Sequence, residues 1–297
     1  MNVSLFTHSV LVTGSEGFVG KETIKLLHKK GLRIIPFDIM LGGNDITNIE
    51  SLRSCVEENA PDRILHLAAT ARFSDADRNP ERATKTNYLG TENVALVAKE
   101  FHIPVVYAST GTVYMPIKQE MPITEDFTVS TQISTYGLTK RLGELAIQRY
   151  CNPWIILRYG HLYGAGKQYH GLVGGILAKI RMGEKPQVWG GEQTNDFAYV
   201  KDIAEANYRA LTASWENWNE VYNIGTGEEL STAEAAQMVC DAVGYKGEIE
   251  ITSKRDVDPA RFVYNTKKAQ HMLGYKSTYG FKEGLDDMIK EYEGKNN

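Results

Sequence analysis

Residues 10–20 read Val10-Leu11-Val12-Thr13-Gly14-Ser15-Glu16-Gly17-Phe18-Val19-Gly20, an apolar strand that breaks into three spaced glycines and then into a helical pattern. Glycine allows positive φ and lets a ligand approach the backbone closely. The helix that follows offers unpaired N–H groups and the positive end of its dipole. The first half of the chain then keeps one rhythm. Strand-like apolar runs at 10–13, 32–37, 63–68, 103–108 and 154–158 alternate with helical stretches at 19–30, 48–58, 80–100 and 135–150. That alternation predicts an α/β fold, a Rossmann-type doubly wound parallel sheet with helices on both faces. Beyond residue 165 the pattern loosens into helices near 171–182, 200–213, 231–243 and 280–293, with short strands near 187–189 and 221–224. We expect a dinucleotide-binding domain over 1–165 and a smaller C-terminal α/β substrate-binding lobe over 166–297, with the chain crossing between them.

Bulk composition narrows the partners. The formal charge of the 297 residues is −4, and no basic run marks a nucleic-acid surface. No apolar stretch approaches the ~20 residues that span a bilayer. No Lys or Arg precedes Lys21, and the first apolar run ends at Gly14, so this segment reads as a strand and not a signal peptide. Cys55, Cys151 and Cys240 are odd in number and lack metal-ligand spacing, which suits a cytoplasmic protein with packing cysteines and no metal.

Gly14, Gly17 and Gly20 are placed to cradle a pyrophosphate at the helix N-terminus. Asp38 ends the second strand 18 residues past Gly20. A carboxylate there accepts from adenosine ribose hydroxyls and repels a 2′-phosphate, which favours NAD over NADP. Asp45 and Ile46, in the next loop, are placed to hold the adenine.

Tyr136-Gly-Leu-Thr-Lys140 puts a phenol and an ammonium four residues apart on one helical face. A nearby ammonium is expected to lower the tyrosine pKa, so that it can take a proton from an alcohol while hydride leaves the same carbon. Thr110 ends the fourth strand, and strand C-termini face the ligand cleft in such sheets. Its hydroxyl would reach the oxygen that Tyr136 serves.

In order along the chain, these motifs resemble the extended short-chain dehydrogenase/reductase family, in particular its NAD-dependent epimerase/dehydratase branch acting on nucleotide sugars. Thr13-Gly-x-x-Gly-Phe18-Val19-Gly20 is similar to the family's cofactor turn. His66-Leu67-Ala68-Ala69, Ser109 and Asn87-x-x-Gly90-Thr91 are similar to further cofactor segments, while Thr110, Tyr136 and Lys140 match its catalytic set. Arg158-Tyr-Gly-His161-Leu-Tyr163-Gly164 and Asp196-Phe197-Ala-Tyr199-Val200-x-Asp202 resemble its later motifs. The resemblance implies cofactor contacts from Phe18, Val19, Leu67, Ala68, Ala69, Asn87, Ser109, Tyr136 and Lys140. It implies substrate contacts from Arg72, Thr110, His161, Asn195, Arg255 and Arg261, and a homodimer through helices 80–100 and 135–150, where Leu142, Leu145 and Ala146 have helical spacing.

The departures from the family pattern select among activities. The 4,6-dehydratases of the family carry Asp and Glu after the catalytic threonine, and its decarboxylases carry Glu at the second of these positions. Here Gly111 and Thr112 stand there, and neither transfers a proton at neutral pH. His161 replaces a substrate-contacting asparagine, and Asn195 replaces an arginine that helps hold the diphosphate. The expected function is an NAD-dependent nucleotide-sugar epimerase, acting at C4 through a transient keto intermediate. The alternatives are a net dehydrogenase or ketoreductase, a dehydratase on a nucleotide sugar or small alcohol, and a non-catalytic NAD(H) sensor on the same fold.

Overall fold

The computed structural model describes residues 8–115, 120–129, 134–166, 171–254 and 259–293. In chain order its first half forms β1 (Ser9–Thr13), α1 (Phe18–Lys29), β2 (Arg33–Phe37), α2 (Ile49–Asn59), β3 (Arg63–His66), α3 (Phe73–Arg78), α4 (Pro80–Thr84), α5 (Gly90–Glu100), β4 (Val105–Thr110), α6 (Thr135–Tyr150) and β5 (Trp154–Tyr159). The second half forms β6 (His161–Tyr163), α7 (Gly171–Arg181), β7 (Gln187–Trp189), β8 (Thr194–Asn195), β9 (Phe197–Tyr199), α8 (Val200–Leu211), β10 (Glu220–Ile224), β11 (Leu230–Ser231), α9 (Thr232–Ala242), β12 (Glu250–Thr252), α10 (Lys267–Leu273) and α11 (Phe281–Glu293).

Six strands make one sheet in the order β10-β5-β4-β3-β1-β2, and every pairing is parallel. β1 and β4 are buried along their whole length, as apolar runs covered on both faces must be. One face packs Val10, Val12, Leu65 and Leu157 against Ile203 and Ala206 of α8 and Leu27 of α1. The other packs Leu11, Ile64 and Val105 against Leu52, Val94 and Ile147 of α2, α5 and α6. The strand order reverses between β1 and β3. Crevices at such switch points, beyond the C-terminal strand ends, are where these sheets bind ligands. The register brings Thr13 level with Phe37 and His66, and Thr110 level with Tyr159, so the strand ends form one rim.

Residues past 165 also complete this sheet. β10 lies beside β5, and α8 lies against α1, with Asn207 Nδ2 donating to Thr23 Oγ1 at 3.0 Å. α10 joins the first face through Ala269 and Leu273, while α7, β7, α9 and α11 gather around Val173, Ile176, Leu177, Val188, Val239 and Leu285. Ser231 and Glu234 cap α9 reciprocally, a short-range signal that fixes where this helix begins.

Three boundaries move the site relative to the sequence reading. The strand expected at 103–108 runs over 105–110, because Ile103 N–H still closes the end of α5 on Ala98 O. Thr110 thereby stays in the strand. The strand expected at 63–68 ends at His66, which frees Leu67 and Ala68 to line the cleft. The helix expected at 80–100 carries a π-helical turn at Lys85–Leu89. That wider turn holds Asn87 inward and fully buried.

Candidate active site

A cleft of about 1210 Å³ opens over the C-terminal rim of the sheet. Of the residues singled out from the sequence, Gly14, Gly17, Phe18, Val19, Gly20, Asp38, Asp45, Ile46, Leu67, Ala68, Ala69, Arg72, Ser109, Thr110, Tyr136 and His161 all line it.

The glycine turn has the shape a pyrophosphate needs. Gly14 sits at φ +71°, and a Cβ there would lie 2.6 Å from Ala68 N. A Cβ on Gly20 would lie 2.2 Å from Gly14 O, so the turn closes directly onto the start of α1. Gly17 caps α1 without any side-chain hydrogen bond, which leaves the leading amides free for an anion. Asp38 Oδ2 accepts from Glu16 N–H at 3.0 Å and Oδ1 from Met40 N–H at 3.0 Å. A carboxylate with four lone-pair sites can do this and still receive ribose hydroxyls. Asp45 Oδ1 accepts from Thr47 N–H at 2.8 Å, and Asn44 and Thr47 extend the same end of the wall. The residues present fit NAD.

A buried relay braces this end against the rest of the site. Thr91 donates to Asn87 O at 2.7 Å, so its oxygen accepts from His66 Nε2 at 2.9 Å. His66 Nδ1 is then the acceptor for the Thr13 hydroxyl at 2.6 Å, and Thr13 Oγ1 takes the Ala68 N–H at 3.3 Å. Asn87 does not line the cleft. It accepts from Thr70 N–H at 2.7 Å and donates to Thr70 O at 3.2 Å and Thr139 Oγ1 at 3.1 Å. It thus ties the 67–72 segment to α6, one residue before Lys140.

Burial drives His66 well below its ordinary pKa, and the Lys140 charge adds to this. The unfolded chain therefore binds a proton that the native protein refuses. The stability this contributes is complete above about pH 6.5 and falls as pH drops below it. Each pH unit below about 6.5 should cost up to ~1.4 kcal/mol through this residue. Urea unfolding of the native chain and His66→Gln between pH 7.5 and 5.5 checks it, with a shallower acid decline expected in the variant. Parallel declines in both would contradict the assignment.

At the other end, Thr110 Oγ1 accepts from Thr112 N–H at 3.2 Å and lies 3.1 Å from Thr112 Oγ1. Burial pushes the Tyr136 phenol up to about 12, with the Thr110 hydroxyl hydrogen-bonded to it and pulling the other way. This corrects the expectation of a lowered tyrosine. Spacing on a helix predicts the ammonium neighbour but not the desolvation both groups suffer. Lys140 itself is buried behind the wall, and burial brings it down to about 7 against the opposing pull of Glu144.

Glu144 anchors the floor. Burial works to raise it, yet Arg158, Ser109 and Arg141 together hold it below the ordinary carboxylate range. Arg158 grips it with Nε and Nη2, both at 2.8 Å, and Ser109 Oγ donates at 2.6 Å. Arg158 Nη1 also donates to Tyr114 Oη at 2.7 Å, which donates to Asn223 Oδ1 at 2.8 Å. Ser109 is therefore half structural, its hydroxyl turned from the cleft toward α6.

Two of the substrate candidates lie elsewhere. Asn195 Nδ2 donates to Thr232 Oγ1 at 3.3 Å, and exposed Arg261 is held by Glu229. Neither lines the cleft. Arg255 lies outside the described residues. Arg72 lines the wall and pairs with Asp75 at 3.7 Å. His161 packs edge-on to Phe262 with ring centroids 5.1 Å apart. Buried Asp196 accepts from Thr226 N–H and Gly227 N–H at 2.7 and 3.0 Å and from Tyr264 N–H at 3.3 Å. This seats the 262–264 segment over Gly111. Phe262, Tyr163 and Thr112 line the cleft without having been singled out as contacts. Thr112 carried a local signal, two residues after Thr110, but Phe262 reaches the wall only through long-range pairing of its N–H with Thr194 O at 3.1 Å.

The NAD dependent epimerase/dehydratase family profile matches residues 10–225. The chain belongs to that family. It is an NAD-dependent enzyme of the epimerase type. UDP-glucose 4-epimerase of Pisum sativum is 27% identical over 95% of this chain and 94% of its own. The solved structure of UDP-glucose 4-epimerase from Thermotoga maritima with UDP-glucose superposes with a TM-score of 0.89 at 26% identity, covering 97% of this chain and 100% of the other. That of the Thermus thermophilus UDP-glucose 4-epimerase with NAD gives 0.86 at 27% identity, over 96% and 99%.

Proposed function

We propose that this enzyme inverts C4 of a nucleotide-diphosphate sugar, with Tyr136 as the acid and base. The observation that carries the reading is that Thr110, Tyr136 and the glycine cradle line one cleft, with no proton-transfer acid at 111 or 112. Bound NAD⁺ supplies a hydride acceptor that gives the hydride back. Tyr136 takes the proton of the C4 hydroxyl, and Thr110 shares the resulting hydrogen bond. The phenolate this needs is favoured by positive charge, which Lys140 brings from one helical turn on. Tyr136 returns the proton once the C4 carbonyl has presented its other face.

Packing supports the exclusion of dehydration. A Cβ at Gly111 would meet Phe262 Cζ and Tyr264 Oη, each at 2.3 Å, so the place of an acid side chain is filled by two rings. Arg72, Arg78, Arg82 and Lys85 line the cleft and give an anionic substrate cationic surroundings.

The test is incubation of the pure protein with UDP-, GDP-, CDP- and dTDP-sugars and no added cofactor. The expected result is interconversion of a C4 epimer pair with no lasting absorbance at 340 nm. Growth at 340 nm in step with substrate once NAD⁺ is added would instead mark a net dehydrogenase, and no interconversion of any of them would end the proposal.

A further inference from the structure

Lys140 is 2% exposed, and among the described residues it has no ion pair of its own. Glu144, the carboxylate whose charge acts on it, is already bound by Arg158, Arg141 and Ser109. What Lys140 does have is a ring. Its Nζ lies 4.2 Å from the centroid of Tyr107, well inside the ~6 Å range of a cation–π contact.

That ring cannot move aside. Tyr107 is fully buried in β4, and the His66 ring lies 5.4 Å from it at 30°. Its hydroxyl donates to Lys140 O at 3.3 Å. Gly143 gives the phenol its room, since a Cβ there would lie 2.3 Å from Tyr107 Oη. One side chain therefore touches Lys140 twice, by its face at the ammonium and by its hydroxyl at the backbone carbonyl.

We propose that Tyr107 is a positioning residue for Lys140, its ring face keeping the amine charged and fixed one turn of α6 from Tyr136. This rests on the assignment of Tyr136 and Lys140 to the chemistry. The other titratable groups around Lys140 are few. His66 on β3 is neutral, Tyr136 and Glu144 share α6 with it, and Arg158 on β5 is taken up by Glu144. None of them offers the ammonium a free anion, and burial alone favours the neutral amine. Glu144 opposes it from a distance, and the aromatic face is the direct contact that does so.

Fluorination tests this without changing shape. The full chain is labelled with ¹³Cε-lysine, Lys140 is assigned through Lys140→Met, and its titration is followed by NMR in the native protein, in Tyr107→Phe, and with 3,4,5-trifluorophenylalanine at 107. Phenylalanine keeps the ring face and loses only the hydroxyl, so the Lys140 midpoint should stay near the native value. The fluorinated ring has its negative face drained, so the midpoint should fall by roughly one pH unit. Equal midpoints for the plain and fluorinated rings would overturn the proposal, even if both variants fold and bind NAD. A second arm follows conversion of UDP-glucose to UDP-galactose. If Lys140→Met converts as fast as the native chain, the assignment of Lys140 to the chemistry fails. If that variant is inactive while fluorination leaves the midpoint alone, only the role of Tyr107 fails.

Discussion

Tyr136→Phe should lower kcat for epimerisation by about a thousandfold, within the ~10²–10⁴ that a positioned acid–base group contributes. The phenyl ring keeps the packing of the half-buried tyrosine, and Thr110 Oγ1 keeps its hydrogen bond from Thr112 N–H. The fold and the glycine cradle are therefore left intact, and cofactor content should match that of the native protein. On the proposed mechanism the loss falls on turnover, because there the removed hydroxyl carries the proton. Thr110 cannot replace it, since an aliphatic hydroxyl holds its proton far more tightly than a phenol. Steady-state kinetics with bound NAD quantified from denatured protein measures both quantities. A fall in turnover of less than about tenfold would remove Tyr136 from the acid–base role. A parallel loss of bound cofactor would make it a binding residue instead.

Gly14→Ala should cost both stability and cofactor. Its φ of +71° charges any side chain about 1–2 kcal/mol. The new methyl would also sit 2.6 Å from Ala68 N and 2.8 Å from Ala68 Cα. Both are backbone atoms of the segment braced by Thr13 and His66, so neither can yield cheaply. A total of roughly 2–4 kcal/mol is expected, with NAD affinity falling more than about tenfold as the turn opens. Gly31→Ala provides the control. It has a φ of +78° but nothing within 4 Å of its Cβ position, so it carries the conformational cost alone and should bind NAD as the native chain does. Equal effects of the two substitutions on NAD binding would mean that the close approach of Gly14 to Ala68 is not what shapes the cradle.

These two residues mark what the sequence makes legible. The glycine turn, Asp38, Thr110 and the Tyr136–Lys140 pair are local signals, each set by spacing within one strand–turn–helix unit. The doubly wound sheet follows from the same alternation. The unforeseen features depend on residues far apart in the chain. Phe262 reaches the cleft through pairing with Thr194, and β10 joins the sheet beside β5 more than sixty residues later. Asn195 leaves the cleft because Thr232 takes its amide, and Arg261 because Glu229 takes its guanidinium. Asn87 turns inward through a π-helical turn that periodicity does not announce. The upward shift of Tyr136 belongs with these, since desolvation is a property of the assembled cleft and not of a four-residue interval.

The central claim is that hydride leaves and returns to one carbon while Tyr136 moves the proton. UDP-galactose carrying deuterium at C4, incubated in ordinary water, tests it most directly, with the product read by NMR and mass spectrometry. The prediction is UDP-glucose that retains the deuterium at C4 without added cofactor. Product with hydrogen from solvent at C4 would contradict it.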